Sequence, residues 1–161
     1  MKIINLTYGK IALVDDKDYD FLSTFKWRAQ KENIHWYAVA SLEGQSIKMH
    51  WLIMPLDKPF VVDHADGNGL NNQRSNLRKA TPSQNCQNRR KISSKCSSPY
   101  KGVHLRKSSG TWIASIQAFG KSGRIYLGDF KNEKDAAFAY DRAAKQYFGE
   151  FAKTNLEGEN L

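Results

Sequence analysis

Acidic residues are missing from the middle of this chain. None lies between Asp66 and Asp129, while the same stretch holds twelve Lys or Arg. A one-sign run of that length marks either a solvated face or a surface for a polyanion. Cysteine is scarce as well. Cys86 and Cys96 form no CxxC pair and have no matching ligand set, which argues against a zinc knuckle. They are expected as free thiols of a reducing, cytoplasmic compartment. No signal peptide and no membrane-length apolar run is present, so no membrane partner is expected. The basic stretch also lacks an amphipathic helix with an apolar face, which disfavours a membrane surface.

What is present is a chain of 161 residues with net charge +9 and a sequence pI near 9.6. That length suits one ordinary domain or two small ones. Residues 1–59 look β-rich, with strands at Lys10–Val14 and Trp36–Ala40 and a short helix from Asp15-Asp16 through Leu22. Asp15, Asp16 and Asp18 are expected as caps and solvated charges. His50, in KMHWLIM, suits packing or support of a neighbouring site.

The run VVDHADGNGLNNQRSNLRKATPSQN concentrates chemistry. Phe60, Val61 and Val62 place Asp63 and His64 at the end of a strand. Asp66 to Gly69 reads as a turn, and Leu77 to Ala80 as a returning strand. Thr81, Pro82 and Gln84 form a helix start with a capping box. Asn85 then falls in the first helical turn. A carboxylate and a carboxamide oxygen suit one hard cation, Mg²⁺ or Mn²⁺. An imidazole beside them suits a general base for water. Asn76 is expected to brace the loop or orient the His64 ring.

These residues resemble the HNH endonuclease motif, in the branch of phage and intron homing endonucleases whose last ligand is Asn. Asp63-His64, Asn76-Leu77-Arg78 and Asn85 carry the resemblance, over about residues 48–90. It implies a ββα-metal nuclease fold. It also implies one metal ion held by Asp63 and Asn85, with His64 and Asn76 as catalytic residues. Arg78, Arg89, Arg90 and Lys91 continue the basic stretch and are expected to follow a DNA backbone.

Residues 91–98 read as a basic, Ser-rich linker. Residues 99–157 read as a second module: strands at Gly102–Arg106, Thr111–Ala118 and Arg124–Gly128, then a helix from Glu133 to Phe148. Asn132 and Asp135 would cap that helix and Gly149 would stop it. Alternation puts Val103, Leu105, Trp112, Ala114, Ile116, Ile125 and Leu127 on an apolar face toward the helix. The opposite face is polar and basic. Tyr100-x-Gly102-Val103, Leu127-Gly128-x-Phe130 and Ala139-Tyr140-Asp141-x-Ala143-Ala144 make this module similar to the APETALA/ERF DNA-binding domain. By position the resemblance implies contacts to double-stranded DNA from Lys101, His104, Arg106, Ser115, Gln117, Arg124 and Tyr126. His104, Ser115, Gln117 and Tyr126 depart from the residues usual in plant members, so the plant GC-rich target does not carry over.

The expected fold class is therefore α+β: a nuclease module with a β-rich N-terminal part over residues 1–90, then a three-stranded antiparallel sheet packed on one helix. The expected function is a site-specific, metal-dependent homing-type endonuclease of a prokaryotic or phage-infected cell, acting as a monomer or homodimer on DNA. A DNA-binding regulator with an inactive nuclease fold is the alternative. A structural or RNA-associated basic protein would explain the charge but not the motif. Cleavage is expected to rise with pH as His64 loses its proton, between about pH 5.5 and 8.

Overall fold

Period-two alternation starts the chain and sets its first layer. In a computed structural model, which describes residues 1–89, 91, 96–118 and 123–156, β1 (Lys2–Asn5) and β2 (Ile11–Val14) pair antiparallel. Ala12 and Val14 point inward and are fully buried. Tyr8 and Gly9 turn the chain at positive φ. Helix α1 (Asp16–Leu22) follows, with Asp16 and Asp18 in its first turn, where the helix dipole favours negative charge. Three strands then form one antiparallel sheet: β3 (Arg28–Glu32), β4 (His35–Leu42) and β5 (Gln45–Lys48), with β4 central. Helix α2 (Met49–Ile53) buries Met49 and Ile53 beneath it.

The next elements set out the motif. Strand β6 (Val61–His64) pairs antiparallel with β7 (Leu77–Ala80), with Asp63 opposite Arg78 and His64 opposite Leu77. Helix α3 (Pro82–Gln87) begins one residue later. Its start is a reciprocal capping box. The Thr81 N–H donates to Gln84 Oε1 at 2.8 Å, and the Gln84 N–H donates to Thr81 Oγ1 at 3.3 Å. Val62 and Leu77 join Val14, Leu22, Ala38 and Met49 in one core.

The chain separates into two compact units, Met1–Asn85 and Cys86–Leu161. The second contains β8 (Val103–Arg106), β9 (Thr111–Ile116) and β10 (Ile125–Phe130) in the order β10-β9-β8. Helix α4 (Glu133–Phe148) covers one face. Ala136, Ala137, Ala143 and Ala144 are buried there, and their small side chains let the helix approach Val103, Ala114 and Ile116 closely. The architecture is thus a mixed α/β one, built from small antiparallel sheets and few helices.

Three local expectations change. Strand β10 runs to Phe130 rather than Gly128, because a bulge between Tyr126 and Gly128 restores pairing beyond it. Leu105 is half-exposed and outside the core clusters of its unit. Asn132 occupies the N-cap position of α4 without a side-chain cap bond, so no capping box forms with Asp135. Gly149 does stop α4, at φ 54°, and its N–H bonds the Lys145 carbonyl.

Candidate active site and nucleic-acid interface

The end of β6 buries two polar residues side by side. Asp63 is 3% exposed and His64 is 6% exposed. Arg78, directly opposite on β7, donates its Nε to Asp63 Oδ2 at 2.8 Å. Its guanidinium was expected on a DNA backbone; it instead supplies the counter-charge of a buried carboxylate. The His64 ring is framed by aromatic edges. His50 lies 4.9 Å away, centroid to centroid, at 86°, and Tyr37 lies 6.1 Å away. His64 Nε2 is 3.4 Å from Asn72 Oδ1.

Asn72 is the residue the sequence did not single out. Asn76, expected to brace the loop or orient His64, takes the first role. Its Oδ1 accepts from the Asp66 N–H, and its Nδ2 donates to Asp66 Oδ1 and to the Asn71 carbonyl, at 2.8–3.0 Å. Asp15 and Asp18 also hold this loop. Asp15 Oδ2 accepts from the Arg74 N–H, and Asp18 accepts from Arg74 Nε and Nη2, each at 2.8 Å.

Burial disfavours the charged form of both histidine rings. Burial pushes the His64 pKa below its ordinary value, against the bond from Asn72 and the charges of Asp66 and Asp63. Burial, then His64 and Lys48, push His50 down to about 3. The unfolded His50 takes its proton near pH 6.5. The unfolded state therefore binds the proton first as pH falls. The associated stability is intact above pH 6.5 and is lost progressively toward pH 3. By about pH 4.5 the first unit is expected to lose on the order of 2–3 kcal/mol from this residue. His50→Phe should flatten the dependence in urea melts at the two pH values; an unchanged slope would show that His50 is not its source.

In the second unit, a cleft of about 430 Å³ is lined by six of the expected DNA contacts: Lys91, Lys101, His104, Ser115, Gln117 and Arg124. Two of them are committed elsewhere. Lys91 Nζ donates to the carbonyls of Ser98, Tyr100 and Val103, which uses all three of its N–H bonds. Lys101 Nζ donates to the carbonyls of Gln87 and Arg89, and its burial pushes its pKa down. Both ammonium groups donate to main-chain acceptors in this structure. Part of the expected linker is accordingly pinned, and Leu105 N also donates to Ser97 Oγ at 2.9 Å. Ser115 is buried, 9% exposed. His104, Gln117, Arg124 and Arg89 are exposed, and Tyr126 is 57% exposed. Arg106 Nη1 and the Tyr126 hydroxyl both donate to Asp129 Oδ2 at 2.7 Å. Arg90 lies outside the described residues.

A family model described as HNH endonuclease matches residues 54–87. An uncharacterized HNH endonuclease of Acanthamoeba polyphaga mimivirus is 34% identical over 153 residues, covering 91% of this chain and 75% of that protein. The chain belongs to the HNH endonuclease family. Partial similarity links this HNH endonuclease to plant proteins too. Dehydration-responsive element-binding protein 2D of Arabidopsis thaliana is 42% identical over 57 residues, covering 35% of this chain and 27% of that protein. Ethylene-responsive transcription factor ERF024 of the same plant is 43% identical over 57 residues, covering 35% and 31%.

Asp63 offers carboxylate oxygen, one atom of which already accepts from Arg78 Nε, and Asn85 in α3 offers a carboxamide oxygen; both are hard donors of the kind a divalent ion such as Mg²⁺ or Mn²⁺ takes. Among the described residues no group of three His, Cys, Asp or Glu could hold a metal ion. Both cysteines are exposed and unpaired. No helix among the described residues is long and apolar enough to cross a membrane.

Proposed function

We propose that this HNH endonuclease is a site-selective, divalent-metal-dependent DNA endonuclease of homing type, with a ββα-metal centre formed by β6, β7 and α3. One observation carries the reading: the consecutive residues Asp63 and His64, a carboxylate and an imidazole, are both buried at the end of β6. Asp63 and Asn85 would hold one Mg²⁺ or Mn²⁺. That ion supplies Lewis-acid stabilisation of charge on the phosphate and the leaving oxygen. His64 accepts the proton of the attacking water. Asn76 keeps the intervening loop closed, and Arg78 sets the orientation of Asp63. One such centre cuts one strand per binding event, so a monomer nicks and a homodimer breaks both strands.

The second unit would select the site. The plant relatives are named for binding a dehydration-responsive element and as a transcription factor, and the exposed face carries His104, Arg106, Gln117, Arg124 and Tyr126. The residue that distinguishes this face is Asp129. It holds the Arg106 guanidinium and the Tyr126 hydroxyl in one arrangement before DNA arrives, which lowers the ordering cost of recognition. Arg106→Ala is expected to remove on the order of 1–3 kcal/mol of discrimination at one base pair. Asp129→Ala should lose part of that discrimination while raising affinity for random duplex by less than about fivefold, since it removes one exposed negative charge. Competition binding with random duplex measures both, and unchanged discrimination in Asp129→Ala would show that Arg106 needs no support.

The overall reading is tested by incubating the protein with supercoiled DNA and Mg²⁺ or Mn²⁺. Nicked or linear product that disappears with a chelator is expected. A second reading, a DNA-binding regulator without cleavage, is favoured by the Arg78–Asp63 ion pair, which engages a candidate ligand. Sequence-selective binding with no cutting in either metal would establish that alternative.

A further inference from the structure

Helix α2 turns all but one of its residues toward the protein. Met49, His50 and Ile53 are buried and Leu52 is half-buried. Trp51 is the exception, at 46% exposure. The other tryptophans have homes. Trp27 lies in the core of the first unit, Trp36 packs against that core, and Trp112 packs against a core of the second unit. Among the described residues Trp51 joins none of the core clusters. A single exposed apolar side chain is ordinary in itself. The neighbours of this one give it a meaning.

The Trp51 and His50 rings meet edge to face, with centroids 5.8 Å apart, and the His50 ring stands 4.9 Å from that of His64. Trp51 is therefore two ring contacts from the buried Asp63–His64 pair. Lys48 completes the group. Its Nζ lies 4.4 Å from the Tyr37 ring centroid and 5.5 Å from that of Trp51. It also donates to Glu32 Oε2 at 2.6 Å, which holds the ammonium in place. Arg28 and Lys48 both stand opposite Val39 in the strand register, so they share one face of the sheet. That face is positive on balance, with Glu32 as its acidic member. An exposed indole with cations around it, on the margin of a phosphodiester-cutting centre, has the chemistry of a nucleobase platform. Every base has a π face, and stacking on an aromatic side chain tolerates any sequence.

We infer that Trp51 stacks on one nucleobase of the strand being cut and so helps choose which phosphodiester is hydrolysed. The inference rests on the nuclease reading of Asp63 and His64. A duplex strand rises about 3.4 Å per nucleotide, so two ring contacts reach a base within about three nucleotides of the cut. A base can meet the indole only by leaving its own stack. That cost is least at flexible pyrimidine–purine steps, which are the steps expected beside the cut. The choice of cut position then lies partly in the first unit, apart from the sheet of β8, β9 and β10.

The test starts from a nick mapped in supercoiled DNA with Mg²⁺ or Mn²⁺ and uses a short duplex built around it. Trp51→Ala is expected to raise KM on the order of 5–150-fold, the affinity equivalent of one base–aromatic stack, with kcat changed less than about threefold. Trp51→Phe, which keeps a smaller ring, should fall between. Single abasic sites are then scanned along the duplex on both sides of the cut. At one position the wild-type protein should weaken until it matches Trp51→Ala, because no base remains to stack. A wild-type KM in Trp51→Ala would overturn the inference. So would a deficit of the variant that is the same on every abasic duplex, which marks a ring that only supports α2. If Trp51→Ala does not fold, Trp51→Phe carries the same scan. The emission that Trp51→Phe lacks should also be quenched by the duplex in the wild-type protein without metal, and unquenched emission would overturn the stacking and point to a protein surface. No cutting in either metal sinks the nuclease reading and the inference with it, whereas cutting that ignores Trp51 sinks the stacking alone.

Discussion

His64→Ala is expected to reduce metal-dependent cleavage on the order of 10²–10⁴-fold, with DNA affinity nearly unchanged. The imidazole is the group beside Asp63 that can take a proton at neutral pH. Its surroundings hold it neutral without help from bulk solvent. The pH profile should follow. Rate depends on the unprotonated ring, so it falls as pH drops through the folded-state pKa. Burial places that pKa below the ordinary value near 6.5. The limb therefore lies on the acid side, and the plateau is reached at lower pH than a solvent-exposed imidazole would give. The bare sequence instead suggested a rise spanning about pH 5.5 to 8, because it could not show the burial. Single-turnover nicking across pH measures both effects. Cleavage in His64→Ala at more than a tenth of the wild-type rate would remove His64 from the chemistry. Loss of the buried ring also leaves a void beside His50 and Tyr37, so His64→Gln serves as a fuller-volume control.

Gly102→Ala is expected to unfold the second unit selectively. Gly102 has φ +75°, in the left-handed region that a side chain disfavours. An added Cβ would also collide with the Tyr140 ring and come within 2.6 Å of the Ser115 carbonyl oxygen. The Tyr140 ring is itself packed against Ile116 and Ala143 in the core beneath α4, so it has little room to retreat. Strained backbone costs about 1–3 kcal/mol and overpacking about 1–3 kcal/mol. Together these are a large fraction of the 5–15 kcal/mol that typically holds a domain. Hydrogen exchange on the full chain separates the outcomes. Amides of β8, β9 and β10 should lose protection while those of β6 and β7 keep it, and selective DNA binding should vanish with the former. Full protection in β8–β10 would mean that the sheet and α4 can separate at little cost.

The sequence made some of this legible because local rules decided it. β6, β7 and the start of α3 follow from β-rich runs, a Gly-Asn turn and a capping box, all short-range. α4 follows from helical spacing of alanines and aromatics. Residues whose partners lie far along the chain were not legible. Asn76 and Asn72 are the same residue type four positions apart, and only the pairing of the loop with β2 decides which reaches His64. Lys91 and Lys101 have the composition of a phosphate track, yet their ammonium groups donate to main-chain carbonyls near the end of α3 and the start of β8. Arg78 likewise reads as a free cation until strand register sets it opposite Asp63.

Leu13, Asp15 and Asp18 all clasp the loop between β6 and β7, and none of them lies within residues 54–87, which match the family model. The recognisable motif is thus not a portable cassette. Grafted into a foreign scaffold, it would bring its reactive groups but leave behind the clasp that keeps Asn72 under His64. An ancestral recombination that moved the motif intact would have needed the first hairpin to travel with it. Chimaera design should accordingly carry β2 and α1 along with residues 54–87 rather than cut before Met54.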